Sequence, residues 1–212
     1  MKQIIIKLPV HRSKGNVSLE ETILRRRAVR RYRTEPLLLS QLSQILWSAQ
    51  GITGTGEFRA APSAGATYPL EIFVFVGDQC IIAGEAAEVS EEFQAGIYHY
   101  EPNSHSLSLH TSGDLRSDLA RAALDEGFIM KAPVDIVICA LYDRTSCRYG
   151  KRGERYVHME VGHVGENIHL QAVALELSTV EVGAFDDEQV MKVLATEEQI
   201  KPLYIMPVGK AV

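Results

Sequence analysis

Ala61-Pro62-Ser63-Ala64-Gly65-Ala66-Thr67-Tyr68-Pro69-Leu70-Glu71 is the stretch from which the rest of this 212-residue chain is read. Its first part holds only small residues and proline, which favour turns over helix or ladder. Its end runs into Leu70 to Val76, a β-rich segment that predicts a strand. Upstream, the Gly, Thr, Ser, Ala and Pro composition reaches back to Gly51, so residues 51–69 read as one long ordered loop. Loops of that length inside a compact domain are usually functional or disordered.

Working outward, Ser40 opens a helix whose Leu42, Ile45, Leu46 and Ala49 recur at i, i+3, i+4 and i+7, ending near Gly51. Further upstream, Ser18-Leu19-Glu20-Glu21 has the Ser-x-x-Glu form that starts a helix near Ser18. Leu19, Ile23 and either Arg27 or Ala28 follow near helical spacing. Six of the nine residues from Arg25 to Arg33 are arginine, in or just beyond the last turns of that helix. Cations there suit the partial negative charge of a helix C-terminus.

Downstream, 97–100 and 106–109 read as a hairpin around Glu101-Pro102-Asn103-Ser104-His105, 114–124 as helix, and 134–141 as a buried central strand. Asp143 to Glu154 is polar with two glycines and reads as a mobile surface loop that shapes a substrate channel. Arg155 to Leu177 is the longest helical candidate. A short strand at 179–184, a helix at 186–194 and a closing strand at 203–208 complete the chain. Without a strict βαβ repeat, the mixture reads as α+β. No repeat or linker divides it, so residues 1–212 form a single domain.

Composition limits the function. A hydrophobic fraction of 46% and a charged fraction of 23% exclude wholesale disorder. No apolar run approaches the ~20 residues of a membrane helix, and Met1 to Pro9 has too short an apolar segment for a secretory signal. Three widely spaced cysteines, Cys80, Cys139 and Cys147, fit a reducing cytoplasm better than a disulfide framework. The net charge of −5 argues against a nucleic-acid partner.

Several constellations invite chemistry. Arg26 and Arg30, at i and i+4 with Arg33 one turn on, suit a phosphate clamp through paired charge-assisted hydrogen bonds. The same arginines also suit a solvated positive face paired with surface carboxylates, and the residues alone leave both open. Gly51-Ile52-Thr53-Gly54-Thr55-Gly56 follows a helix and matches no phosphate-loop spacing, so it reads as a connection. His158, Glu160, His163, Glu166 and His169 include one Glu-x-x-His. However, His158 and His163 diverge by about 140° around a helix, so these residues read as packing or interface groups, not metal ligands. No nucleophile elbow occurs, and Cys139 sits in an apolar strand where thiols are usually inert. A chain with anion-binding groups and no acid, base or nucleophile set points to chemistry borrowed from a phosphate-bearing cofactor.

Arg26-Arg27-Ala28-Val29-Arg30-Arg31-Tyr32 resembles the arginine segment that opens nitroreductase-like flavoproteins. The 61–71 stretch closely resembles a loop of the branch that includes the azoline-oxidising dehydrogenases of modified-peptide pathways. Arg155 to Asn167, Gly183-Ala184-Phe185-Asp186-Asp187 and Pro207-Val208-Gly209-Lys210 continue the likeness in order, from about Leu19 to the C-terminus. This resemblance implies an α+β sandwich of a central mixed or antiparallel sheet flanked by helices, in an intertwined homodimer with FMN at the subunit interface. It implies that Arg26, Arg30 and Lys210 hold the FMN phosphate and ribityl chain from one subunit. Pro62, Ser63 and Ala64, with Ala66 beside them, belong to the loop supplied by the other. Gly183 and Ala184 fall where backbone faces the flavin near N5.

Two positions depart from the family pattern. Ala28 stands where serine or threonine is common, removing a hydroxyl donor to the phosphate. Asp125-Glu126-Gly127 stands where an amide faces the flavin, so either Glu126 turns away or its carboxylate lowers the reduction potential.

The activity implied is hydride transfer from NAD(P)H through flavin N5 to an electron-poor acceptor, nitroaromatic or quinone-like, with no catalytic side chain required. The alternative within the family is dehydrogenation of an azoline-type heterocycle. A rival of another class is a flavin-binding protein without turnover.

Overall fold

A seven-stranded antiparallel sheet forms the centre of the chain, seen in a computed structural model that describes residues 4–54, 56, 58–83 and 93–212. The readings that involve Met1 to Gln3 and Thr55 concern positions outside these residues.

In chain order the elements are β1 (Ile5–Lys7), α1 (Leu19–Arg25), β2 (Leu37–Leu38), α2 (Leu39–Gln50), a 3-10 turn (Ala64–Ala66), β3 (Leu70–Val76) and β4 (Ile81–Ile82). Then come β5 (Gly96–Glu101), β6 (Ser106–Ser112), α3 (Arg116–Ala122), α4 (Phe128–Lys131), β7 (Val134–Leu141), α5 (Asp143–Tyr149), α6 (Arg152–Ala174), β8 (Ser178–Thr179), α7 (Asp187–Leu194) and β9 (Ile200–Gly209). The large sheet has the order β1-β6-β5-β3-β7-β9-β8, and every neighbouring pair is antiparallel. β2 and β4 form a separate parallel pair.

The period-two alternation of the central strands creates two cores. Leu70, Ile72, Val74 and Val76 of β3, with Val134, Ile136, Ile138 and Ala140 of β7, face one side. There α2 presents Leu42, Ile45, Leu46 and Ala49, and α6 presents Val157, Val161, Val164, Ile168 and Ala172. The intervening Phe73, Phe75, Val137 and Cys139 face the other side, beneath Leu119 of α3, Ile129 of α4 and Val190 and Leu194 of α7. The result is a three-layer α+β sandwich. Burial drives up the pKa of the Cys139 thiol, so it stays protonated. Asp135, on β7, is fully buried with both carboxyl oxygens unpartnered among the described residues, and burial raises its pKa well above the usual carboxylate range.

Ser18 caps α1 as its sequence predicts, accepting from the Glu21 N–H at 3.2 Å. Gly51 ends α2 at a point of close approach, where a Cβ would lie 2.2 Å from Trp47 Cδ1. Two expectations are overturned. First, α1 stops at Arg25, and Arg26 turns out of the helix at ψ 126°, so Arg26 and Arg30 do not share a helical face. The chain from Ala28 instead runs along the sheet margin. Ala28 bridges Thr179 in parallel, Tyr32 bridges Ala211, and the Arg33 N–H donates to Lys210 O at 2.9 Å. Second, residues 143–154 are not a loop: they form α5 and the first turn of α6. Among the described residues, no helix is long and apolar enough to cross a membrane.

Candidate functional site

The expected site residues fall into two groups, which α6 connects. The first group gathers at the β8 edge of the sheet. Ala28 lies against Thr179 there, and the Val29 N–H donates to Thr179 O at 3.0 Å. β8 pairs with the end of β9 through Ser178–Gly209 and Thr179–Val208, which brings Lys210 alongside. Val182 then pairs with Ile205, carrying Gly183 and Ala184 along the same margin. The Asp186 N–H reaches Ala122 O at 2.9 Å, so the chain just past Ala184 touches the end of α3. Arg30 stands 5.9 Å from the ring centroid of Phe128 in α4, two residues beyond Glu126. Glu126 itself is exposed, on the turn entering α4.

The electrostatics of this edge suit an anion. Arg26 is met only distantly by Glu166 of α6, at 3.9 Å, with both side chains well exposed. Such a pair contributes under about 1 kcal/mol and leaves the guanidinium available to a ligand. Lys210 Nζ donates to Glu35 Oε2 at 2.7 Å, and the lysine holds the Glu35 carboxyl below its usual range. Behind Arg26, the buried His169 meets Glu181 at 2.9 Å. Burial works to raise the Glu181 pKa, but His169 and the charge of Arg26 bring it down. Thr179 Oγ1 is buried and unpartnered among the described residues, directly beside Ala28. Arg26 and Arg30, with Lys210 alongside but paired to Glu35, suit a phosphate-bearing group.

The second group is the 62–66 loop, held at the other half of α6. Ser63 Oγ accepts from the Tyr68 N–H at 2.9 Å, and Thr67 Oγ1 meets Thr145 Oγ1 at 2.7 Å. Gly65 has φ +61°, the left-handed region that glycine adopts without penalty. A Cβ on Gly65 would sit 2.5 Å from Tyr149 Oη. Ala66 and Tyr68 also have positive φ. Arg144 and Arg148, one turn apart on α5, donate to Tyr68 O and Gly65 O, both at 3.0 Å. The helix missed in the sequence is therefore what clamps this loop.

The five residues weighed as metal ligands point to separate surroundings, and three of them have partners of their own. His158 meets Tyr142 at 2.7 Å, Glu166 faces Arg26, His169 meets Glu181, and His163 is exposed. Glu160, buried, lies near Ser63 and Gln50. Because Glu160 is near the loop and Glu166 near Arg26, the two groups are separated by six residues of α6, about 9 Å along its axis. One chain does not bring them into contact among the described residues.

Comparison with known proteins agrees with this frame. The Nitroreductase family profile matches residues 23–210. Over 196 residues the chain is 44% identical to MJ1384 of Methanocaldococcus jannaschii, whose name places it among the nitroreductases, covering 92% of each chain. It is 27% identical over 179 residues to the microcin B17-processing protein McbC of Escherichia coli, covering 82% of this chain and 62% of McbC. A crystal structure of a Ralstonia eutropha protein described as a nitroreductase superposes with a TM-score of 0.81 at 27% identity, covering 98% of this chain and 90% of that one. A profile match across nearly the whole chain, together with a relative of this identity and coverage, makes the chain a member of the nitroreductase family of oxidoreductases.

Proposed function

We propose that the chain is an FMN-dependent oxidoreductase that works as a homodimer, taking a hydride from NAD(P)H and passing electrons to an electron-poor acceptor. The observation that carries this reading is the division of the site into two incomplete halves on a nitroreductase frame. Flavin use and homodimers are typical of that family. Arg26, Arg30 and Lys210 would hold the phosphate and ribityl chain, and the Gly183–Ala184 backbone would approach the flat ring. Pro62, Ser63, Ala64 and Ala66 of a second copy would close the other side. The exposed Leu19, Ile23 and Leu24 of α1 give that copy apolar surface to cover.

FMN, when bound, supplies the hydride-accepting N5, and the chain supplies position and charge. Small residues at 183–184 let backbone come close. Cations opposite the phosphate fix the orientation of the ring, and two protein walls exclude water from it. Anaerobic stopped-flow mixing with NADH and with NADPH is the test. Bleaching of the flavin absorbance by at least one of them is expected, and a spectrum that stays oxidised with both in excess would defeat the donor assignment.

Similarity to the microcin B17-processing protein McbC favours a second reading, flavin-dependent dehydrogenation of an azoline-type heterocycle. A two-hydrogen mass loss from a thiazoline substrate would select it. Steady-state NAD(P)H oxidation would in turn exclude a flavin-binding protein without turnover.

A further inference from the structure

Glu160 is the buried ionisable group that the proposed chemistry does not use. It lies on the inner face of α6 at 2% exposure, and its Oε1 has no hydrogen-bond partner among the described residues. The Ser63 hydroxyl and the Gln50 side chain are near enough to pull its pKa down, yet neither is bonded to Oε1. Gln50, at the end of α2, accepts from Arg59 Nη1 at 3.0 Å through Oε1, while its own Nε2 is also buried without a partner among the described residues. Arg59 stacks on Tyr68, 4.5 Å from its ring centroid, and the Tyr68 N–H donates to Ser63 Oγ at 2.9 Å. One donor and one acceptor in this buried network are therefore unused, directly behind the loop proposed to touch FMN.

A serine hydroxyl has one proton to donate and two lone pairs. One lone pair of Ser63 Oγ is taken by the Tyr68 N–H. An ionised Glu160 can only accept, so it draws the Ser63 proton inward. A protonated Glu160 can donate into the second lone pair, which leaves the Ser63 proton free to point outward. Burial lifts the Glu160 carboxyl to about 7, against the opposing influences of Ser63, Gln50 and the charge on Arg59. Both states are therefore accessible near neutral pH.

We infer that Glu160 is a positioning residue whose proton sets the direction of the Ser63 hydroxyl, so that Ser63 donates to bound FMN only while Glu160 is protonated. This rests on the proposed placement of FMN against the 62–66 loop. The other charged groups around Glu160 do not supply an equivalent proton. Arg59 is the cation facing it, and Glu71 of β3 and Arg144 of α5 act on Arg59. Gln50, from α2, is neutral. On α6 itself the residues one turn away are Tyr156, Val157, His163 and Val164, and His163 is exposed. At the far half of the helix, Arg26 and Glu181 gather against Glu166 and His169.

The experiment measures FMN dissociation constants between about pH 6 and pH 9 for the native protein, Glu160→Gln, Ser63→Ala and the double variant. The ratio of native to Glu160→Gln cancels the ionisation of the FMN phosphate itself. The amide that Glu160→Gln introduces does not titrate, so the ratio is expected to be constant in acid and to rise about fivefold in base, the worth of one hydrogen bond. In the Ser63→Ala background the ratio should stay flat. A carbon-13 glutamate titration of the flavin-free protein reads the same group directly. The signal that Glu160→Gln removes should have a midpoint near 7. A constant ratio with FMN bound, or a carboxyl midpoint near the ordinary ~4.3, would overturn the inference alone. A native protein that binds no FMN at any pH would overturn the cofactor placement as well, while leaving the flavin-free titration as an independent result.

Discussion

Ala28 shows how much one side chain can be asked to explain. It is exposed, bridges Thr179, and lies beside that residue's unpartnered buried hydroxyl. A serine there would restore the hydroxyl that the family pattern commonly supplies, at a position with room for it. Ala28→Ser is expected to lower the FMN dissociation constant about fivefold, the ~1 kcal/mol of one added hydrogen bond. Fluorescence titration reads it, and an unchanged or higher constant would mean that position 28 does not face the phosphate. At this scale, the sequence made the identity of Arg26, Ser63 and Lys210 as candidates legible through motif. The role of Glu160 was not legible. Its Glu-x-x-His spacing to His163 reads as a packing or interface group, and only the tertiary fold buries the carboxyl near Ser63 and Gln50.

Among the elements, signals confined to a few neighbouring residues were read correctly. The Ser18 cap, the α2 stripe and the alternating strands β3 and β7 all appear where local pattern places them. Errors came where distant partners decide. Arg26 to Arg33 has helical arginine spacing, but pairing with Thr179 and Ala211 draws it out along the sheet. Residues 143–149 look like a polar loop, yet Arg144 and Arg148 gain the carbonyls of Tyr68 and Gly65, 76 and 83 positions away. β1, β2, β4 and α4, each two to four residues long, are too short for periodicity to register. Because α5 and a left-handed Gly65 together set the loop, Gly65→Ala should cost about 1–2 kcal/mol of local strain. It should also push the new methyl onto Tyr149. FMN affinity is expected to fall about tenfold or more, with the melting temperature moving far less. Equal loss of both would mark Gly65 as a general stability position and not a determinant of the site.

The whole molecule is organised by its sheet. Seven strands expose two apolar faces, helices cover both, and the β8 edge and the 62–66 loop carry the candidate half-sites. The α+β class was legible from the mixture of elements. The division of the site was not legible from spacing or composition, since it depends on which segments the sheet brings to its edge, and only the family likeness implied it. α1 leaves Leu19, Ile23 and Leu24 at more than 50% exposure. In the proposed homodimer a second copy covers that surface and completes each site.

The most direct measurement is light scattering on the size-exclusion peak, combined with its visible spectrum after incubation with FMN. The expected result is a yellow species at twice the 23.5 kDa chain mass, carrying one FMN per chain. A colourless species at 23.5 kDa that gains no flavin would contradict it.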